Sequence, residues 1–418
     1  MAKRIRLALV AALMAGIALA SPVVAAAAQV DVLVMDSETE QPLQNAEVKL
    51  HRVAPSFLTL GPQYTNASGY TGFTNPAIFP GTQFYVRVNG PAGMHVEHVT
   101  DDFPYNGMDR DVQVDLWQKA HRVWGPDRYT TAVQTARDSF GIQGLNRWPN
   151  IPDVVIASGE DYAAADPLTA AGICWCYDAP LLLVGRDHTP TSVKQAVAEL
   201  VAATGHVTIH VVGGPNSVPN ARYQDLVDYV GDPSKLTLDR ITPYADRFEL
   251  ASSVAARMQL VAATTAKTME DIVLVANGAD PDKFFDALAL SPITAHNGTP
   301  ILLVGKDYVP SHTRNRISAL GFSRTIVGGG PATVSWNTYA ELGATDRWWG
   351  DDRYETAVEI ASMAATETLL GTSKVGVAAK LPDALTGGAA QGLMYGPLVL
   401  TQTEKVPGVT YAFVESCG

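Results

Sequence analysis

The sequence predicts a multidomain protein, an all-β sandwich followed by tandem α/β repeats. Residues 29–118 alternate apolar and polar with a period of two between Gly- and Asn-rich turns. From residue 121 a block reading Arg, then Asp-Arg-[Tyr/Phe], returns three times. Between its returns, continuous apolar strands alternate with small-residue helices, the pattern of βαβ crossovers in a mainly parallel sheet covered on both faces.

The elements follow in chain order. Lys3, Arg4 and Arg6 precede an apolar run of 14 residues, Leu7 to Ala20, and Ser21-Pro22 then leads to the small residues Ala25 to Ala28. This is the pattern of a secretory signal cleaved near Ala26–Ala28, too short for a membrane span. Residues 1–28 are therefore set apart from the fold. No later stretch reaches 18 apolar residues, so the mature chain is expected to be soluble, without a membrane partner. It shows no cysteine near the signal end and no Leu-Pro-x-Thr-Gly tail, so any attachment to a cell is expected to be non-covalent.

Val30–Met35 and Ala46–Leu50 alternate on either side of a polar turn, Asp36–Leu43. Thr65–Thr74 is a Gly-punctuated turn running into an extended segment, and Phe84–Val88 and Val112–Leu116 alternate again. Short strands at this spacing predict a small β-sandwich at 29–118.

Arg122-Val-Trp-Gly-Pro-Asp-Arg-Tyr returns as Arg240-Ile-Thr-Pro-Tyr-Ala-Asp-Arg-Phe and as Arg347-Trp-Trp-Gly-Asp-Asp-Arg-Tyr. The repeats are placed at 121–239, 240–346 and 347–418. Each block opens an amphipathic helix: Ala132, Ala136 and Phe140; Val254, Ala255 and Met258; Val358, Ile360 and Ala361. Buried-type strands follow at Val154–Ala157, Ile272–Ala276 and Val375–Ala379. Then come Asp166-Pro-Leu, Asp286-Ala-Leu and Asp383-Ala-Leu, each opening a small-residue helix. The second strands begin at Pro180, Pro300 and Pro397, 14 residues after the Asp in every copy. A further helix, strand and Gly-rich turn close the first two copies, at Gly213-Gly-Pro and Gly329-Gly-Pro, 33 and 29 residues after the proline. That count from Pro397 passes Gly418, so the third copy is expected to lack its last helix, strand and turn.

The formal charge is −12, and removing the three basic residues of the signal takes it to about −15. An acidic chain lacks the broad basic footprint of a nucleic-acid binder. Cys174, Cys176 and Cys417 cannot all pair within one chain. Cys174-Trp-Cys176 is at most half of a zinc site and reads as structural, so no metal or other cofactor is expected. His95-Val-Glu-His98 lies in a strand with its imidazoles on opposite faces, unlike a helical zinc pair, and no Gly-x-Ser-x-Gly elbow is present. The chain is therefore expected to be non-catalytic.

The motifs Gly-x-Asp-Arg-Tyr-x-Thr-Ala, Asp-Ala-Leu, Pro-[Leu/Ile]-Leu-Leu and Gly-Gly-Pro resemble the cell-wall-binding repeat type 2 family of Gram-positive bacteria, over residues 121–418. The resemblance implies three Rossmann-like or Toprim-like units about a pseudo-threefold axis, binding an anionic secondary wall polymer, teichoic-acid-like or polysaccharide, without covalent linkage. This chain departs from the pattern at Tyr244, where the other copies carry Gly125 and Gly350, at Phe248 in place of Tyr, and at Lys380 in a shorter third loop. Residues 29–118, through Pro42-Leu43, Ala46-x-Val48-x-Leu50 and Ser68-Gly69-x-Thr71-Gly72, resemble the carboxypeptidase-regulatory-like and collagen-adhesin B-type sandwiches. That resemblance implies a spacer, with a host or surface protein as its class of partner.

The candidate polymer-binding residues each carry a plainer alternative. Arg128, Arg247 and Arg353 could fork onto a phosphate or carboxylate; alternatively the preceding Asp caps the helix and the Arg pairs with Asp166, Asp286 or Asp383 of its own copy. Those three aspartates sit just past a strand's carboxyl end, where open α/β sheets bind ligands, or are helix N-caps. The triplets Leu181, Leu182 and Leu183; Ile301, Leu302 and Leu303; and Leu398, Val399 and Leu400 match the family's anchoring-linked triplet, or are core. The Gly-Gly-Pro turns offer backbone N–H groups to an anion, or are simply tight turns. The expectation is a secreted surface protein anchored non-covalently to a wall polymer and displaying a β-sandwich. The alternatives are a wall-remodelling hydrolase or a soluble glycan receptor.

Overall fold

The computed structural model describes residues 29–36, 41–54, 58–75, 77–78, 82–90, 98–99, 103–104, 110–116, 122–141 and 147–417. The expected signal at 1–28 and the histidine at 95 lie outside the described residues. The chain divides into two compact units between Arg122 and Val123.

The first unit is built of β1 (Gln29–Asp36), β2 (Glu47–Ala54), β3 (Leu58–Tyr64), β4 (Tyr70–Thr74), β5 (Gln83–Asn89), β6 (His98–Val99), β7 (Phe103–Pro104) and β8 (Arg110–Leu116). One sheet runs β4-β1-β8, the other β3-β2-β5-β6 with β7 also paired to β5. Alternation buries Val30, Val32 and Val34 of β1 against Val48, Leu50, Phe84, Val86 and Val88 of the second sheet, so both sheets share one core. Most pairings are antiparallel, but β1 and β8 run parallel from Val30↔Arg110 to Asp36↔Leu116. Strand β3, which includes Gly61-Pro62, has no counterpart among the strands expected from the sequence; its face is largely exposed, so period-two alternation is weak there.

In the second unit the first copy holds α1 (Arg128–Gly141), β9 (Asp153–Ser158), α2 (Ala165–Leu168), α3 (Ala171–Tyr177), β10 (Leu181–Val184), α4 (Thr191–Thr204), β11 (Val207–Val212), α5 (Asn220–Val230) and β12 (Leu236–Arg240). The second holds α6 (Arg247–Thr264), β13 (Ile272–Asn277), α7 (Phe284–Asn297), β14 (Ile301–Val304), α8 (Ser311–Leu320), β15 (Arg324–Gly328), α9 (Trp336–Glu341) and β16 (Asp346–Trp348). The third holds α10 (Arg353–Thr366), β17 (Gly376–Ala378), α11 (Leu381–Leu393), β18 (Leu398–Leu400) and α12 (Gly408–Ser416).

The sheets run β10-β9-β11-β12, β14-β13-β15-β16 and β17-β18, with every pair parallel. Strands β12 and β16 contain Arg240 and Arg347, the opening residues of the next sequence block. The last strand of each four-stranded sheet therefore runs directly into the motif of the following copy.

Two expectations are corrected in the third copy. Its helix after the second strand does form, as α12: Pro407 precedes it in the same extended conformation as Pro190 before α4 and Pro310 before α8. The buried Thr410 hydroxyl donates to the Leu400 carbonyl at 2.7 Å, as Thr313 does to Leu303. The strand expected to be buried on both faces, β17, instead leaves Val377 48% exposed, because among the described residues it pairs with β18 alone.

The copies share their cores. The first helix of each copy packs on the helical segment that Asp-x-Leu opens in another: α6 on α2 and α3, α10 on α7, and α1 on α11. Helices α7 and α11 approach most closely through glycine: a Cβ at Gly388 would run into Ser291, and one at Gly392 would stand 2.5 Å from the Ala295 methyl. Where α1, α3, α7 and α11 meet, a cavity of about 30 Å³ lies among Ala136, Cys174, Ala295 and Ala389, room for about one water.

Candidate functional site: clefts between consecutive copies

The Asp-Arg motif divides its labour. Asp246 accepts from the backbone N–H groups of Phe248 and Glu249, and Asp352 from those of Tyr354 and Glu355. Asp127 accepts from the Thr130 N–H at 2.7 Å. The aspartates are thus helix caps, each worth about 1 kcal/mol. Arg128 and Arg247 turn instead to the carboxyl end of their own copy's first strand. Arg128 donates to the Gly159 carbonyl and lies 2.6 Å from Asp161. Arg247 donates to the Gly278 carbonyl at 2.8 Å.

The expected pairing of each Arg with the Asp-x-Leu aspartate of its own copy is not what forms. Arg247 acts electrostatically on Asp166 of the first copy, Arg353 on Asp286 of the second, and Arg128 on Asp383 of the third. The reason is packing: α6 lies against α2 and α3, α10 against α7 and α1 against α11, so each first helix meets the Asp-x-Leu segment of another copy. Arg353 also stacks on Phe285, the residue before Asp286, with 4.3 Å between guanidinium carbon and ring centroid.

Nor are these aspartates N-caps. Asp166 lies inside α2 and Asp286 in the first turn of α7, whose N-cap residues make no side-chain capping bond. Their oxygens meet the Gly-Gly turns instead. Asp166 accepts from the Ser217 hydroxyl at 2.6 Å, and Asp286 has the Thr333 hydroxyl beside it. Gly213 and Gly329 adopt φ of +134° and +107°, and a Cβ at either would press on the Asp166 or Asp286 carboxylate. The turns close tightly, the Gly214 and Gly330 carbonyls accepting from the N–H groups three and four residues on.

Burial pushes the Asp166 and Asp383 carboxyls above the usual carboxylate range, against the nearby cations. The same cause carries Asp286, only 6% exposed, up to about 6, opposed by Lys283, Thr333 and Arg353. Lys380 occupies in the third copy the position of Lys283, three residues before the Asp, where the first copy has Ala163. Each of the three places thus holds one carboxyl, buried at Asp286 and half-buried at Asp166 and Asp383, one guanidinium from another copy and, in two of three cases, a lysine.

The turns are held by residues the sequence reading did not single out. Arg240 donates to the carbonyls of Gly213 and Val218, and Arg347 to those of Gly329 and Val334. Both open a sequence block, and that recurrence was the available signal. Tyr244 and Trp349 lie against Gly214 and Gly330.

The aliphatic triplets present no surface. Leu181–Leu183, Ile301–Leu303 and Leu398–Leu400 are all at most 3% exposed, because both faces of β10, β14 and β18 are covered. As direct contacts to a polymer they are corrected to core. Cys174 and Cys176 are free and buried, burial pushing the Cys176 thiol up to about 12, so neither is a poised nucleophile. Among the described residues no group of three or more His, Cys, Asp or Glu is arranged to hold a metal ion, and no helix is long and apolar enough to cross a membrane.

A second buried polar cluster joins the first two copies. His210 on β11 lies between Asp153, at 2.8 Å, and Asp239, at 2.9 Å, and stacks on Tyr177 at 3.8 Å. Arg257 of α6 bonds both Asp239 and the Tyr177 hydroxyl. Burial alone lowers the His210 pKa, but the two carboxylates outweigh it and raise it.

The family model described as cell wall binding domain 2 matches residues 122–223, 245–339 and 347–415. A curated relative, the N-acetylmuramoyl-L-alanine amidase LytC of Bacillus subtilis, is 28% identical over 285 residues, 68% of this chain and 51% of the amidase. The chain therefore spans about half the length of that relative. Among solved structures, Cwp6 from Clostridium difficile matches with a TM-score of 0.59 at 19% identity, over 92% of this chain and 63% of that one. Cwp8 from the same organism matches with a TM-score of 0.57 at 18% identity, over 81% and 55%.

Proposed function

Because the chain belongs to the cell wall binding domain 2 family, we propose that it is a surface protein held non-covalently on the cell wall, its clefts between copies gripping an anionic wall polymer. The carrying observation is electrostatic: an Arg from one copy acts on the Asp-x-Leu aspartate of another three times over, Asp286 being buried and Asp166 and Asp383 half-buried. Only chains with all copies packed together present such sites, and the pairings α6 on α3, α10 on α7 and α1 on α11 support a pseudo-threefold arrangement of Rossmann-like or Toprim-like units.

The charge balance supports the same reading. The whole chain carries −12, yet the cleft at Asp286 sets Lys283 and Arg353 against one carboxyl whose ionisation burial opposes. At physiological salt charges farther away than about 8 Å are screened, so a polymer in the cleft meets the local excess of cations. The Arg fork suits phosphate or carboxylate, and the buried carboxyl suits a sugar or polyol hydroxyl. In this reading the β-sandwich unit is a non-catalytic spacer or adhesin that the repeats hold at the surface, a host or surface protein being its partner class.

The test is sedimentation of the protein with isolated Gram-positive walls. Arg247→Ala and Arg353→Ala together are expected to abolish co-sedimentation while leaving the melting temperature within a few degrees. Undiminished binding by the folded double variant would overturn the cleft assignment. A zymogram against wall material is expected to show no cleared band; a cleared band would favour the wall-remodelling alternative.

A further inference from the structure

We propose that the cleft between the second and third copies recognises a pyranose ring of the polymer, with Trp349 and Trp336 as the shelf on which a sugar face stacks. The inference rests on the wall-anchoring reading and adds the chemistry of the unit gripped at this cleft.

Gly329 and Gly330 are the hub. Gly329 backs onto the Asp286 carboxylate, and Gly330 is covered by the Trp349 indole, so close that a Cβ there would stand 2.7 Å from the ring. Arg347 fastens the same turn, donating to the carbonyls of Gly329 at 3.0 Å and Val334 at 2.7 Å. Its guanidinium lies 4.5 Å from the Trp336 ring and 4.8 Å from Tyr339. Trp336 in turn meets Tyr339 edge-on at 5.6 Å. Each indole is therefore seated on fixed groups on one side.

The other side is open: Trp336 is 58% exposed and Trp349 40%. Leaving two indoles in water forgoes the stabilisation that burying them would give. Rigidly seated aromatics lose little entropy when a ligand covers them. An indole face is apolar and carries negative quadrupole density, which complements the C–H face of a pyranose. A poly(glycerol phosphate) chain has no such face. Beside the shelf, Lys283 and Arg353, which both act on the Asp286 carboxyl, can meet an anionic substituent.

The cleft between the first and second copies lacks these features. Asn220 stands two residues past Val218, as Trp336 stands two past Val334, and its side chain is occupied by Arg240 at 2.9 Å. Tyr244 lies on Gly214 in the place of Trp349, and Ala163 replaces the lysine. A general structural demand of the fold would have placed tryptophan in both.

The test compares two wall preparations, one bearing a polymer of pyranosyl phosphate units and one bearing poly(glycerol phosphate). The wild-type chain, Trp336→Ala and Trp349→Phe are sedimented with each. The wild type is expected to bind the pyranose-bearing walls roughly tenfold more tightly, and Trp336→Ala, with folding checked by its melting temperature, to lose most of that preference. Equal binding of the wild type to both walls, or a preference kept in both variants, overturns the shelf while wall anchoring stands. Binding to neither wall sinks the wall-anchoring reading and this inference with it.

Discussion

Asp286→Asn should make the protein more stable and less able to hold the wall. The Asp286 carboxyl is 6% exposed, and burial carries its pKa from 3.8 to about 6. The folded chain thus binds this proton more tightly than the unfolded chain does. Stability contributed by the protonated group is intact below about pH 4, falls as pH rises toward 6, and stays at the lower level beyond. Two pKa units correspond to about 3 kcal/mol, so an amide, which never ionises, is expected to stabilise the fold by about 2–3 kcal/mol at pH 7.5 and by little near pH 4. Urea unfolding of both proteins at the two pH values measures this, and wall sedimentation of the same samples measures binding. A variant no more stable than wild type at pH 7.5, or one whose gain is equal at both pH values, would refute the reasoning. A gain in stability together with lost binding is the signature of a group kept for function against the interest of the fold.

Three further outcomes follow from the same geometry. His210 has a raised pKa between Asp153 and Asp239, so its stabilising charge is fully present below pH 6.5 and is lost as pH rises through the folded value. His210→Asn should lower the melting temperature most at pH 6, with the gap narrowing toward pH 9; a pH-independent gap would contradict the charged clamp. Gly329→Ala places a Cβ against the Asp286 carboxylate at a φ of +107° and should cost about 1–3 kcal/mol in thermal unfolding. Leu302→Ala, at a fully buried site, should cost about 2–5 kcal/mol, and its loss of wall binding should track the unfolded fraction and disappear on cooling; lost binding in a fully folded sample would return the triplet to the ligand-contacting surface.

The repeats were legible because their spacing is strict. An Asp followed 14 residues later by a strand-opening Pro in all three copies fixes a helix and a strand of nearly constant length. The caps at Asp246 and Asp352 and the buried triplets also followed from local patterns. What the sequence concealed was contact between copies. No periodicity states that Arg247 faces Asp166 rather than Asp286, since that depends on α6 lying against α3. Membership of β12 and β16 in the preceding sheet was hidden for the same reason, because the strand and the next motif share residues. The Trp336–Arg347–Tyr339 stack joins α9 to β16 through tertiary packing alone, and exposed tryptophans carry no pattern of their own.

The most direct test of the account is sedimentation of residues 29–418 with Gram-positive walls before and after hydrofluoric acid removes the secondary polymers. Binding to intact walls and its loss on stripped walls is the predicted result. Equal binding to stripped walls, or none to either by a chain shown to be folded, would contradict polymer anchoring through the clefts between copies.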